Sequence, residues 1–204
     1  QLGAITPVNL AVASARARGV QEPLGEGTGL DINLGGQLDR FVAATAGGVP
    51  AGASAIVFIG SNDLSDAFGA ATSDPNGSDL QLILDILGAL GAVSGAVVDA
   101  VEELDAAGVS TLYIPTLPLA SFFVGTDALD PEAAALAEIA GAVYNAALAV
   151  QGAGVQAQGV DAQIVDFAAV SNAIVEDPTG FDIVAPRIDF LIDGSSFDTD
   201  QILA

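Results

Sequence analysis

The sequence predicts an α/β protein with a doubly wound, mostly parallel sheet and helices on both faces. Short apolar segments that fit buried strands alternate along the chain with longer segments whose apolar residues recur at helical spacing. The length suits one such domain, because 204 residues with 51% hydrophobic side chains can bury a substantial core. We therefore expect residues 1–204 to form a single domain.

The first half of the chain predicts two strands and two helical segments. Residues 7–15 predict a short strand that ends in a turn of small residues, and residues 31–46 predict a helix that stops at a glycine pair. Residues 55–59 are all apolar, as is typical of a central strand in a parallel sheet. Residues 79–107 predict a long helical segment that breaks at the glycines within 88–95.

The second half repeats the alternation of strand and helix. Residues 109–114 predict a strand that ends at Pro115. Residues 131–150 predict a helix with proline in its first turn and Asp130 as its N-cap. A short strand over 163–167 and a helix over 168–176 complete the pattern.

The charge balance excludes some partners. The chain has 26 acidic residues against four arginines and no lysine, and its net charge of -22 repels nucleic acid and anionic membranes. This acidity favours either a highly solvated surface, as in proteins of salty water, or a secreted protein that meets calcium. No EF-hand loop or nonapeptide calcium repeat supports the calcium alternative. The longest uncharged apolar run, residues 86–98, is too short to span a membrane and predicts a buried helix.

The polar residues that follow the strand at 55–59 are the strongest functional signal. Gly60, Ser61, Asn62 and Asp63 come directly after it, and open α/β sheets bind ligands at the carboxyl ends of their strands. An ordinary turn in which Asn62 or Asp63 caps the next helix is the alternative explanation. We expect a structural role for Asp63 in either case.

These residues, together with a second segment, resemble the SGNH (GDSL) esterase and lipase family. Residues 60–63 match its Gly-x-Asn-Asp block, and residues 9–16 are similar to the block that commonly runs Asn-aromatic-Ala-Val-Gly-Gly-Ala-Arg. Weaker similarities follow in the family's order at 36–41, 114–118, 143–148, 165–167 and 176–181. The resemblance implies a three-layer α/β/α, flavodoxin-like fold and hydrolysis of a small ester or lipid through an acyl-serine intermediate, without a cofactor.

The same resemblance assigns roles to individual residues. The side-chain amide of Asn62 would bind the oxyanion, Gly60 would allow close approach, and a backbone N–H of Ala13 or Ser14 would add a donor. Ala13 and Ser14 replace the family's glycine pair, so the conformation of that donor is an open question.

Two of the family's blocks have no match in the sequence. The Gly-Asp-Ser block with the nucleophile and the Asp-x-x-His block are missing, and the chain contains no histidine. We therefore expect an internal piece of a hydrolase that lacks the first central strand and is inactive by itself. A non-catalytic relative, a binding or structural subunit outside the cytoplasm, is the alternative.

The missing strand leads to a structural expectation. A slot should lie in the middle of the sheet, filled by another segment, by a second chain or by residues 187–193. We also expect a secreted, cell-surface or periplasmic location. The absence of cysteine rules out disulfides and thiolate metal sites.

Overall fold

The computed structural model describes residues 8–12, 14–19, 31–46, 48–72, 79–118 and 131–181, in which helices and parallel strands alternate. In chain order these are α1 (Leu34–Ala44), β1 (Ser54–Ile56), α2 (Ser61–Thr72), α3 (Asp79–Ala106), β2 (Thr111–Pro115), α4 (Pro131–Ala157), β3 (Ala162–Val165), α5 (Phe167–Glu176) and a 3-10 turn (Pro178–Phe181). The predicted α/β class is confirmed.

The three described strands form one parallel sheet in the order β1-β2-β3. Ala55 lies beside Leu112, and Leu112 lies beside Ala162 in the next strand. Long helices connect the strands, since parallel neighbours need a crossover. All three strands therefore end at the same edge, where the polar residues after β1 are found.

One face of the sheet packs against α3 and α4 and forms the core. Leu112, Ile114 and Ala162 are at most 1% exposed on this face. The stripe of α3 that meets the sheet and its neighbours has buried residues at helical spacing: Ile86, Leu90, Val93, Val97 and Val101.

The predicted break in α3 is wrong. The helix continues through Gly88, Gly91 and Gly95 from Asp79 to Ala106. Each glycine costs about 1 kcal/mol of helix propensity, but the buried stripe on either side stabilises the helix by more than that sum. For the same reason α4 continues past the predicted end at residue 150 to Ala157, since Val155 is buried in the core.

The opposite face of the sheet is exposed in the described structure. Ile56 is 71% exposed and Phe58 49% exposed, and Tyr113 of β2 is also exposed. Phe167, the first residue of α5, contacts Phe58 edge-to-face with ring centroids 5.6 Å apart. The described residues thus show one full helical layer, and β1 is an edge strand among them, whereas a central strand was predicted.

The strand predicted over residues 7–15 is also wrong for its described part. The Asn9 side chain accepts a hydrogen bond from the Ala11 N–H, and the Ala15 N–H donates to the Val12 carbonyl, so this backbone bonds in local turns. Without that strand, the slot expected in the middle of the sheet is not found between the described strands. Ala13, Asp130 and residues 187–193 lie outside the described residues.

Two helices of the described structure are long and apolar enough to cross a membrane by length and composition. They comprise Ile83–Ala106, with mean hydropathy 1.7, and Ala134–Ala157, with mean hydropathy 1.3. This criterion is weak for so few helices, because the core helices of soluble proteins also meet it. The prediction that the chain has no membrane span therefore stays a prediction.

Candidate functional site

A pocket of about 210 Å³ lies at the carboxyl edge of β1 and β2. Three separate segments line it: the turn that contains Ser14, the residues from Phe58 to Asn62, and Leu117 after β2. Gln37 of α1 also lines the pocket. The structure thus brings Ser14, Gly60 and Asn62 together around one cavity, where open α/β sheets bind ligands.

Gly60 occupies a position that only glycine fits without strain. Its φ of +114° lies in the region that side chains disfavour. A Cβ atom built on Gly60 would lie 2.8 Å from Tyr144 Oη and 3.2 Å from Val93 Cγ1. The sequence predicted that Gly60 allows a close approach to the ligand. In the structure the close approach is between the Gly60 backbone and the side chains of α3 and α4.

Ser14 has the left-handed backbone conformation that the resemblance associates with glycine. Its φ is +66°, and among the described residues it is the only non-glycine residue with a positive φ. Non-glycine residues occupy this region at a cost of about 1–2 kcal/mol. The turn therefore has, at Ser14, a backbone shape that glycine adopts more readily than serine.

Asn62 connects the first turn of α2 to the turn that contains Ser14. Its Nδ2 donates a hydrogen bond to the Ala15 carbonyl at 2.9 Å. A carboxamide has two N–H donors, and this bond uses one of them. Asn62 thus fixes the Ser14 turn while it lines the pocket.

Asp63 has the structural role that we expected. Its carboxylate accepts a hydrogen bond from the Ala17 N–H at 2.8 Å. Burial raises the pKa of Asp63 above its ordinary value, and the backbone donors oppose that rise only in part. Asp63 thus attaches α2 to Ala17 in the segment after the Ser14 turn.

Asn33 is a site residue that the sequence analysis missed. It is 1% exposed, its Oδ1 accepts from the Arg16 N–H, and its Nδ2 donates to the Arg18 carbonyl, both at 2.9 Å. Its position before α1 indicates an N-cap, but its side chain makes no capping hydrogen bond and turns to the loop instead. Sequence alone identifies the residue type at the helix start and not its distant partners.

A second missed asparagine holds the opposite side of the pocket. Asn145 on α4 accepts from the Leu117 N–H and donates to the Leu117 carbonyl, each at 2.8 Å. The Thr116 hydroxyl accepts from the Ala168 N–H at 3.0 Å and so attaches this loop to α5. Both sides of the pocket are therefore held by partly buried hydrogen bonds from side chains of other segments.

Tyr144 lies under the floor of the pocket. It is 1% exposed, and its hydroxyl donates to the Ile59 carbonyl at 3.2 Å. Burial, with a smaller contribution from the negative charge of Asp63, raises the pKa of Tyr144 far above its usual range. Tyr144 is a neutral structural donor at any physiological pH.

Two of the described arginines, Arg16 and Arg40, bond acceptors elsewhere in the fold. Arg16 forms an ion pair with Asp66 of α2, and its Nη2 lies 3.0 Å from Asp66 Oδ1. Arg40 donates to the Asp31 carbonyl at 2.6 Å.

Metal ligands are not grouped in the described part of the chain: no three acidic side chains there lie close enough to hold an ion. A scan of protein-family models finds no match to this sequence, and a search of curated proteins finds no related protein. Assignment to a family therefore depends on the motifs and the geometry described above.

Proposed function

We propose that this chain supplies the oxyanion-binding side of an SGNH-type carboxylic ester hydrolase. The observation that carries the proposal is the left-handed backbone of Ser14 in a pocket shared with Gly60 and Asn62. A serine that adopts a glycine-like conformation, where the resemblance expects glycine, indicates that the shape of this turn matters.

The chemistry assigns the donors a specific task. Attack of a serine hydroxyl on an ester converts the carbonyl oxygen into an oxyanion, and prepositioned N–H donors stabilise that charge. In this proposal the donors are the second N–H of Asn62 and a backbone N–H of the Ser14 turn. Asn33, Asn62 and Asp63 keep that turn in place.

The nucleophile and its base belong to residues outside this sequence in the proposed enzyme. A serine hydroxyl needs a base to remove its proton, and the sequence contains no histidine. The outer edge of β1 is consistent with this arrangement. Among the described strands, none pairs with that edge. A strand with the nucleophile would find unpaired backbone groups beside the pocket.

The test compares the 204-residue chain with the protein translated from its complete reading frame, using p-nitrophenyl acetate and butyrate. We expect turnover from the complete protein and none from the 204-residue chain. In the complete protein Asn62→Ala should lower kcat by about 10²–10³-fold. Asn172→Ala on α5, outside the pocket, is the control and should leave kcat unchanged.

Two results would contradict the proposal. One is serine-dependent turnover by the 204-residue chain, and the other is a complete protein whose activity does not change in Asn62→Ala. The absence of histidine favours the second candidate function, a non-catalytic binding or structural relative. A complete protein that folds, lacks the Gly-Asp-Ser and Asp-x-x-His blocks and hydrolyses no ester would support that alternative.

A further inference from the structure

Helix α4 is apolar on the side that faces away from the core. Its inner side is buried, with Tyr144 1% and Leu148 2% exposed. On the opposite side Ile139 is 59% and Val150 73% exposed. The exposed stripe of small and branched side chains, called the α4 outer face below, comprises Ile139, Ala142, Val143, Ala146, Ala149, Val150 and Ala153. A helix that is apolar on all sides is normally covered on all sides.

The α4 outer face is uncharged in a very acidic protein. No charged residue occurs from position 139 to position 160, whereas the chain has 26 acidic residues. The exposed side of the last turns of α3 contains Asp99, Glu102, Glu103 and Asp105. Two copies of this chain would repel each other over most surfaces, but the α4 outer face allows contact without opposing carboxylates.

We propose that the α4 outer face is a homodimer interface in which two α4 helices pack antiparallel about a two-fold axis at Ala146. In that arrangement residues at equal distances on either side of Ala146 meet across the axis. The pairs are Ile139 with Ala153, Val143 with Ala149, and Val150 with Ala142. Every branched side chain then opposes an alanine, so ridges on one helix meet gaps on the other.

This complementarity favours a second copy of the same chain as the partner that covers the α4 outer face. A different protein or a lipid surface would not require large and small residues to alternate symmetrically about one position. The apolar composition of α4 does not distinguish a second copy from a different protein or a lipid surface, because part of that composition comes from residues that already pack in the core. The dimer proposal is independent of the proposed ester hydrolase function.

Sedimentation equilibrium of the 204-residue chain tests the proposal. We expect the mass to rise with concentration from 20.1 kDa to twice that value, with tighter association in 1 M than in 0.1 M NaCl. Ala146→Glu places two carboxylates at the axis and should weaken association by more than about tenfold. Ala43→Glu, at an exposed alanine on α1, is the matched control and should associate like the unmodified chain.

Cysteine cross-linking tests the orientation, because the chain has no cysteine of its own. Ala146→Cys should form covalent dimers with a short bis-maleimide. Ile139→Cys should not, because the two copies of that residue lie roughly 20 Å apart at 1.5 Å rise per residue. Equal cross-linking of both variants would indicate parallel helices and would overturn the proposal. A chain that stays monomeric at all concentrations in 1 M NaCl, or whose α4 outer face binds neutral phosphatidylcholine vesicles as a monomer, would also overturn it.

Discussion

The two sides of the pocket are held in different ways. Residues 14–18 are bound by several side chains on α2 and by one side chain before α1, through Asn62, Asp63, the Arg16–Asp66 pair and Asn33. Leu117, on the other side, has both backbone groups bound by the single side chain of Asn145. Loss of one hydrogen bond should therefore lower the free energy of unfolding less on the first side, where other bonds remain, than on the second side.

The difference follows from local backbone structure. Leu117 is the second residue after β2 and is only 2% exposed, so it has few conformational choices once Asn145 binds it. Residues 14–18 are not paired in a sheet, contain a left-handed residue and must be ordered by side chains from elsewhere. A turn that makes no backbone hydrogen bonds to a neighbouring strand needs several side-chain contacts to offset the conformational entropy that it loses on folding.

The largest effect is expected at the floor that joins the two sides. Gly60→Ala should destabilise the fold by about 3 kcal/mol, because the new Cβ meets Tyr144 Oη and the residue has a positive φ. Gly159→Ala, with φ +99° and no atom near an added Cβ, should lose about 1 kcal/mol from backbone strain alone. Urea denaturation measures both. Equal losses would show that contact with Tyr144 is unimportant.

Substitutions of Asn145 and Asn33 test whether the two sides of the pocket differ in their sensitivity to the loss of one side chain. Asn145→Ala should destabilise by about 2–3 kcal/mol, because the Leu117 N–H and carbonyl lose their partner in a buried site. Asn33→Ala should cost less, about 1–2 kcal/mol, since Asp63 still binds Ala17 and Arg18 is exposed to water. The measurement is the free energy of unfolding in urea, with Asn172→Ala as a control of smaller effect. A larger loss in Asn33→Ala would reverse the proposed order of the two sides.

Asp63 gives a prediction about pH. Its pKa is raised in the folded state, so ionisation disfavours folding, and stability falls as pH rises from 3.8 through the raised pKa. Asn at this position still accepts the Ala17 N–H and never ionises. Compared with wild type, Asp63→Asn should therefore gain in melting temperature between pH 3 and 7. An unchanged difference across that range would show that Asp63 is solvated in both states.

The smallest effect is expected for the ion pair on the first side. Asp66→Asn should cost at most about 0.5 kcal/mol in 0.1 M salt and less in 1 M salt, because both partners are substantially exposed. The hydrogen bond from Arg16 lowers the pKa of Asp66, so its contribution is present above 3.8 and is lost as pH falls through the lowered pKa. Thermal melts at both salt concentrations and at pH 3 and 7 check this. A loss that salt does not reduce would show that packing, not charge, accounts for the contact.

Sequence patterns predicted most elements because local signals and tertiary packing agree there. The strands at β2 and β3 and the helices α1 and α5 occur close to their predicted positions. The glycines of α3 and α4 misled the prediction, since propensity is weak compared with the burial of residues such as Leu90 and Val155. The residues before the Ser14 turn were predicted as a strand, because their apolar side chains do not reveal that no described strand pairs with them.

The sequence by itself determined the α/β class, the polar cluster after β1 and the lack of a histidine for catalysis, since composition and periodicity contain this information directly. Only the tertiary structure decided that Ser14 adopts a left-handed backbone, that Asn33 and Asn145 hold the two sides of the pocket, and that the α4 outer face is exposed. These features depend on contacts between residues far apart in the chain, such as Asn33 with Arg18 and Asn145 with Leu117. Local sequence does not encode such pairings, because each side chain has many alternative partners until packing selects one.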